Sequence, residues 1–326
     1  MMMRTVKMIW EFILATCISM LATLTNSFTI QETTSTKRAY KTDADYYYQQ
    51  YHQIPLPSIM HDNLERLLPD LAAAEEVKDD EQQQRRKRIL IIGDVHGCID
   101  ELQSLIQKST QEHNNGISFP AIVLVGDLCN KGPQSAKVIK YVRTQPNMIS
   151  VRGNHDDRAL LAALERRRSD VVVDTKYDWV RELTDEDVAW MADLPYTITI
   201  PRTMFVIDGH TNGNDQDIII VHAGLDRTID DDKILDRQDV KTMTTLREVK
   251  NNVNDEESMI AWAKVWKGPQ LVIFGHDAKR GIQNENFAIG LDSGCCYGKE
   301  LTGIILPEKE FVHVTAFRAH CQINTE

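Results

Sequence analysis

Three times between residues 88 and 167 the chain passes from an apolar stretch through a glycine and a polar, metal-type residue into a helical pattern. The first unit is ILIIGDVHG at Ile89 to Gly97, after which Ile99, Leu102, Leu105 and Ile106 recur on one helical face. The second is FPAIVLVGDLCN, followed by PQSAKVIKYVRT with Pro133 at the first turn, where a missing N–H costs nothing. The third is MISVRGNHD, followed by DRALLAALERRR. Strand, turn and helix in succession imply an α/β fold with a largely parallel sheet covered by helices. TITIP, DIIIVHAGL, QLVIFGHDA, NFAIGLDSG and LTGIILP read as further short strands.

Five of these strands end in residues that bind metals. Asp94 and His96 follow ILIIG, Asp127 follows IVLVG, Asn154 and His155 follow ISVRG, His222 follows IIIV and His276 follows VIFG. One Asp or His at a strand end is an ordinary turn or helix cap. Five such endings beside glycine or a small residue are hard to obtain from packing alone. Strand C-termini in an α/β sheet converge on the ligand crevice, so residues far apart in the chain meet there.

The order and spacing of these segments resemble the metallophosphoesterase signature of the calcineurin-like superfamily: G-D-x-H-G at Gly93 to Gly97, G-D-x-x-x-[RK]-G at Gly126 to Gly132, G-N-H-[DE] at Gly153 to Asp156, H-A-G at His222 to Gly224 and G-H at Gly275 to His276. Within that superfamily GDLCNKGP, VHAGL, FGHDAKRG and LDSGCCYGKELTGIIL are similar to the ApaH-like phosphatases, relatives of bacterial symmetric diadenosine tetraphosphate hydrolases. The resemblance spans Arg88 to Pro307 and implies a β-sandwich of mixed sheets flanked by helices, with the metal site at the strand C-terminal ends.

The resemblance further implies that Asp94, His96 and a bridging Asp127 hold one divalent cation, and that Asp127, Asn154, His222 and His276 hold a second. Carboxylate, amide and imidazole together suit manganese best, with iron, zinc or magnesium as alternatives. Two such ions about 3.5 to 4 Å apart clamp phosphoryl oxygens and make hydroxide available near neutral pH. His155 takes the position of the general acid, Arg152 is a candidate for both catalysis and phosphate binding, and Arg247, Lys131 and Asn154 are candidate phosphate contacts. Lys131 stands where the family has Arg, keeping the charge without the bidentate fork. Asn130 stands where protein phosphatases have an Asp. It is expected to accept a hydrogen bond from His155 without supplying a charge, which suits a good leaving group such as a nucleoside phosphate. The expected substrate is a phosphorylated small molecule or nucleotide, such as a dinucleoside polyphosphate or capped nucleotide end. Alternatives are a phosphoprotein substrate, as for a Ser/Thr protein phosphatase, or a non-enzymatic, metal-stabilised binding protein.

A formal charge of -11 argues against a broad nucleic-acid surface, which works by neutralising phosphates. Residues 1–27 read as a signal peptide, with Arg4 and Lys7 before an apolar stretch and Thr25 and Ser27 before Phe28. A retained membrane anchor is the alternative, and a Ser-Phe junction also resembles leaders to secondary plastids. Either way the expectation is entry to the secretory route. Residues 28–87 are polar and irregular, a linker with one helix near Leu64 to Val77, and the folded domain is expected over 88–326. The basic run Arg85 to Arg88 reads as solvated, and DRTIDDDK at Asp226 to Lys233 as an acidic loop. Trp262 and Trp266 read as core or lid, and Cys98, Cys129, Cys295 and Cys296 as packing residues around the site.

Overall fold

The computed structural model describes residues 55–69, 88–167, 174–207, 210–211, 216–227, 235–253 and 256–322. A five-stranded sheet has the order β15-β14-β2-β3-β4, built from β2 (Ile89–Ile92), β3 (Ala121–Leu124), β4 (Met148–Ser150), β14 (Glu300–Leu306) and β15 (Glu310–Thr315). A six-stranded sheet has the order β1-β5-β8-β11-β13-β12, from β1 (His61–Asn63), β5 (Thr197–Ile200), β8 (Ile218–Val221), β11 (Leu271–Phe274), β12 (Gln283–Asn284) and β13 (Ala288–Gly290). Two hairpins stand apart, β6 (Val206–Ile207) with β7 (His210–Thr211), and β9 (Glu248–Val253) with β10 (Glu256–Ala261).

Both sheets are mixed. β2, β3 and β4 run parallel, as do β8, β11 and β13, but β14 is antiparallel to β2 and β5 is antiparallel to β8. Two mixed sheets are what the family resemblance implies; of the largely parallel sheet read from the strand-helix repeats, the two parallel triples remain. The parallel triples are where the repeats were legible; apolar periodicity carries no information on strand direction, so the antiparallel additions were not.

The central strands are buried on both faces, which is why they read as unbroken apolar runs. Ile89, Ile91, Ala121 and Val123 face Ile218, Ile220, Leu271 and Ile273 in a core between the sheets. The alternate residues Leu90, Ile92, Ile122 and Leu124 face outward, against Leu102 and Leu105 of α2 (Ile99–Lys108) and Val138 and Val142 of α3 (Ser135–Thr144). On the other side Ile219, Val221, Val272 and Phe274 pack against Met243 of α6 (Val240–Thr245) and Trp262 of α7 (Trp262–Val265). Trp262 and Trp266 meet edge to face with centroids 6.1 Å apart, as core residues. α4 (Asn154–Arg166) follows β4, and α5 (Asp185–Asp193) lies before β5.

The folded unit begins before the expected boundary at residue 88. β1 pairs in parallel with β5, His61 opposite Thr197, and Leu64 of the one-turn helix α1 (Leu64–Leu67) is fully buried in the inter-sheet core. The polar look of HDNLERLL hid this, because only Leu64 and its neighbours face inward. Arg88, read with the solvated basic run, is buried and paired with Glu308 at 3.0 Å and Glu310 at 3.3 Å. The leader, most of the expected linker with Arg85 to Lys87, and most of DRTIDDDK lie outside the described residues. No helix among the described residues is long and apolar enough to cross a membrane.

Candidate metal centre

Residues just past the C-terminal ends of β2, β3, β4, β8 and β11 meet at one place, as the strand endings predict. Their backbones are held in an uncommon conformation: His96, Asp127 and His276 all have positive φ, at 46°, 50° and 69°. Such strain in non-glycine residues persists only where the surroundings over-determine it, and it gathers at functional sites. Two glycines permit the close approach. A Cβ on Gly275 would lie 1.9 Å from Asp94 Oδ1, and one on Gly153 would lie 2.2 Å from Asp127 Oδ1.

Each carboxylate is oriented by backbone. The amide of His276 donates to both oxygens of Asp94 at 3.1 Å, and that of His155, in the first turn of α4, donates to Asp127 Oδ1 at 2.9 Å. The imidazoles are oriented likewise. His96 Nδ1 donates to the Cys129 carbonyl at 3.0 Å and His222 Nδ1 to that of Val125 at 2.9 Å. A carbonyl can only accept, so in the neutral rings Nε2 carries the lone pair. His96 Nε2 lies 3.5 Å from Asp127 and 4.0 Å from Asp94.

His222 Nε2 lies 3.0 Å from Asn154 Oδ1, 3.2 Å from His276 Nδ1 and 3.3 Å from Asp127 Oδ1. A neutral His276 supplies at most one proton to this group of four acceptors, and the rest face one another. A divalent cation satisfies all four, so the donor set fits the expected metal. Asp127 belongs to both candidate groups, His96 with His155 on one side and His222 with His276 on the other.

The electrostatics agree. Burial holds the imidazoles neutral: His96 is pushed down to about 3, and His222 and His276 also lie below the ordinary histidine range. Burial raises Asp127 too, but His222, His155, His96 and Lys131 outweigh it and hold the carboxylate ionised. Burial, then Asp292, then Asp127 push Asp94 well above the usual range. Asp292, a further buried carboxylate, is raised by burial to about 6. It lies just past the end of β13 in GLDSG, an apolar strand end of the same form as the other five, and that was the signal available for it.

The remaining expected residues divide. Lys131 Nζ donates to His96 Nε2 at 2.9 Å and lies over the Tyr297 ring. Burial pulls its ammonium down, but Asp127 and Tyr297 prevail and leave it at about 12, a fixed positive charge. Arg247 donates to the His276 carbonyl at 3.2 Å and is half exposed, beside the cluster and open to a ligand. His155 lies with its ring centroid 4.9 Å from that of His96. Arg152 is not brought to the cluster. Its guanidinium is fully buried, donates to the carbonyls of Pro55, Ala192 and Leu194, pairs with Asp157 at 3.3 Å and covers the Tyr196 ring. With its donors spent in the core, the expected catalytic and phosphate-binding roles are withdrawn.

Asn130 also differs from expectation. Its Oδ1 accepts from the Trp179 indole at 3.1 Å, and its amide nitrogen faces His155, donating to the carbonyl at 3.0 Å and pointing at Nδ1 from 3.4 Å. It therefore donates towards the His155 ring instead of accepting from it. Asp156 caps α4, accepting from the amides of Gly153 at 2.9 Å and Leu128 at 3.0 Å and from the Cys129 thiol at 3.2 Å.

The family model described as calcineurin-like phosphoesterase matches residues 87–280. The chain belongs to the calcineurin-like phosphoesterase family. Its members are hydrolases, and this metallophosphoesterase is similar over nearly the whole of several relatives. It is 30% identical over 235 residues to a protein of Bacillus subtilis named bis(5'-nucleosyl)-tetraphosphatase PrpE, asymmetrical, covering 69% of this chain and 93% of that one. The protein of the same name from Anoxybacillus flavithermus is 30% identical over 242 residues, covering 69% and 92%. A crystal structure of a candidate diadenosine tetraphosphatase superposes with a TM-score of 0.54 at 28% identity, over 71% of this chain and 94% of that one. These relatives are named asymmetrical, whereas the sequence resemblance pointed to the symmetric hydrolases.

Metal uptake by this phosphoesterase has a predictable pH dependence. Burial raises Asp94 well above the carboxylate range and Asp292 to about 6, so the metal-free cluster holds protons to higher pH than free carboxylates do, and a cation must displace those that remain. Titration of metal-free protein with Mn²⁺ in buffers of different ionisation enthalpy is expected to show net proton release at pH 6.5, and affinity that rises with pH. Uptake independent of pH between 5.5 and 8 would contradict this.

Proposed function

We propose that this phosphoesterase hydrolyses phosphoanhydride links in dinucleoside polyphosphates or comparable capped nucleotides, at a site holding two divalent cations. Four acceptor atoms converging on one point carry the reading, and the 30% identity to proteins named bis(5'-nucleosyl)-tetraphosphatases supports its substrate class. Asp94, His96 and Asp127 would hold one cation, and Asp127, Asn154, His222 and His276 the other; bound there, the ions supply a hydroxide nucleophile and neutralise phosphate charge. Lys131, beside His96, and Arg247, beside His276, bind the phosphate chain. His155 delivers a proton to the departing oxygen. Beside Asn130 it lacks the partner carboxylate that would favour an imidazolium, which a phosphate leaving group tolerates better than an alkoxide does.

The relatives' names favour unequal products. Manganese-loaded protein incubated with diadenosine tetraphosphate is expected to release ATP and AMP, with a kcat/KM at least tenfold above that for a phosphoserine peptide. Faster turnover of the peptide would replace this reading with that of a protein phosphatase.

A further inference from the structure

Glu101 has no part in the candidate metal centre, yet it is a carboxylate sealed inside the protein. It sits in the first turn of α2, 3% exposed, on the helix whose Leu102 and Leu105 pack into the outer core. Its Oε1 accepts from the Phe317 amide at 2.9 Å, and among the described residues no Lys, Arg or His pairs with it. A buried carboxylate normally has a cationic partner or holds a metal, because an uncompensated charge away from water is costly.

Two thiols lie beside this carboxylate. Cys98 immediately precedes α2, and Cys295 lies in the turn that follows β13; each is 1% exposed. One Sγ from each and a carboxylate oxygen of Glu101 lie within 4.8 Å of one another. Donors held by a tetrahedral zinc, at ~2.0–2.3 Å from the ion, are roughly 3.3–3.8 Å apart, so a small inward movement of these side chains reaches that spacing. Packing accounts for two small buried thiols. It does not account for the carboxylate set beside them.

We propose that Cys98, Glu101 and Cys295 form a separate metal site that takes Zn²⁺, with water in the fourth position. The site shares no residue with the candidate centre at Asp127, whose proposed ligands include no sulfur. Thiolates favour zinc, whereas manganese and magnesium favour carboxylate, carbonyl and water, so the two donor sets sort two metals within one chain. A zinc ion here would tie together three segments: the turn that carries His96, the turn after β13 and, through the Phe317 amide on Glu101, the segment after β15. Its role is structural, and it does not rest on the phosphoanhydride reading.

The test is titration of the reduced, manganese-saturated full chain with Co²⁺, followed by absorption. A thiolate bound to cobalt gives an intense near-ultraviolet charge-transfer band, and the ligands proposed for the centre at Asp127 give none. Wild type is expected to develop the band to a plateau, and excess Zn²⁺ to abolish it. Cys98→Ser and Cys295→Ser should each remove more than half of it, while Glu101→Gln should keep the band and weaken cobalt binding about tenfold or more. Asp127→Asn and Cys321→Ser should leave both the band and the affinity as in wild type. No band in wild type, or a band unaltered in both Cys98→Ser and Cys295→Ser, would overturn the proposal, as would a band that Cys321→Ser abolishes. Should the cysteine variants fail to fold, zinc-edge X-ray absorption of wild type carrying one equivalent of Zn²⁺ decides. Sulfur at about 2.3 Å from the zinc upholds the site, and nitrogen and oxygen alone overturn it. These measurements read the metal and need no substrate, so failure to cleave tetraphosphate would sink the proposed function and leave this inference standing on its own result.

Discussion

Asp127→Asn is expected to lower kcat/KM by about four orders of magnitude, the largest effect of any single change in this chain. Among the described residues Asp127 is the only carboxylate in both candidate groups, 3.5 Å from His96 Nε2 and 3.3 Å from His222 Nε2. The fold should survive, because an amide oxygen can still accept from the His155 N–H that Asp127 now holds at 2.9 Å. The buried ammonium of Lys131 loses its counter-charge, and in the proposed two-cation site each cation would lose a shared anionic ligand. Ligand binding stabilises the native state by about 2.7 kcal/mol at a hundredfold excess over Kd, so manganese should raise the Tm of wild type by several degrees and that of the variant far less. A variant that keeps both the metal-induced rise and the activity would remove Asp127 from the centre of this account.

Arg152→Met is expected to cost roughly 3–5 kcal/mol of stability and about 10 °C in Tm, while the molecules that remain folded keep kcat/KM within about threefold. The side chain is fully buried, and its loss takes the opposite charge from the Asp157 carboxylate and a donor from each of the carbonyls of Pro55, Ala192 and Leu194. Asp157 keeps the Tyr196 hydroxyl, at 3.0 Å, among its partners but loses the Arg152 charge. Removing the uncompensated charge as well, in Arg152→Met with Asp157→Asn, should recover part of the loss, since breaking a buried pair on one side costs more than neutralising both. Thermal unfolding of the three variants checks the order. A fall in activity per folded molecule of a hundredfold or more would return Arg152 to the substrate.

The contrast between these two residues shows how far a sequence reading reaches. Asp127, His222 and His276 are legible because an apolar run that stops at glycine or a small residue announces a buried strand and the turn that ends it. Asp292 carries the same mark, but LDSG reads as part of a family signature and not as a strand ending. Arg152 was misplaced because closeness to Asn154 in the chain does not say which way a side chain turns; here it turns into the core beside Tyr196. Asn130 was recognised as a residue type, but which end of its amide faces His155 depends on Trp179, 49 residues away. β1 was missed for a related reason. Three residues of mixed polarity form a strand only because β5 offers them an edge to pair with.

The most direct measurement of the central claim is anomalous diffraction at the manganese edge from crystals grown with Mn²⁺. The account predicts two peaks per chain about 3.5 to 4 Å apart, with Asp127 between them, one beside Asp94 and His96 and the other beside Asn154, His222 and His276. A single peak, or two peaks that do not share Asp127, would contradict it.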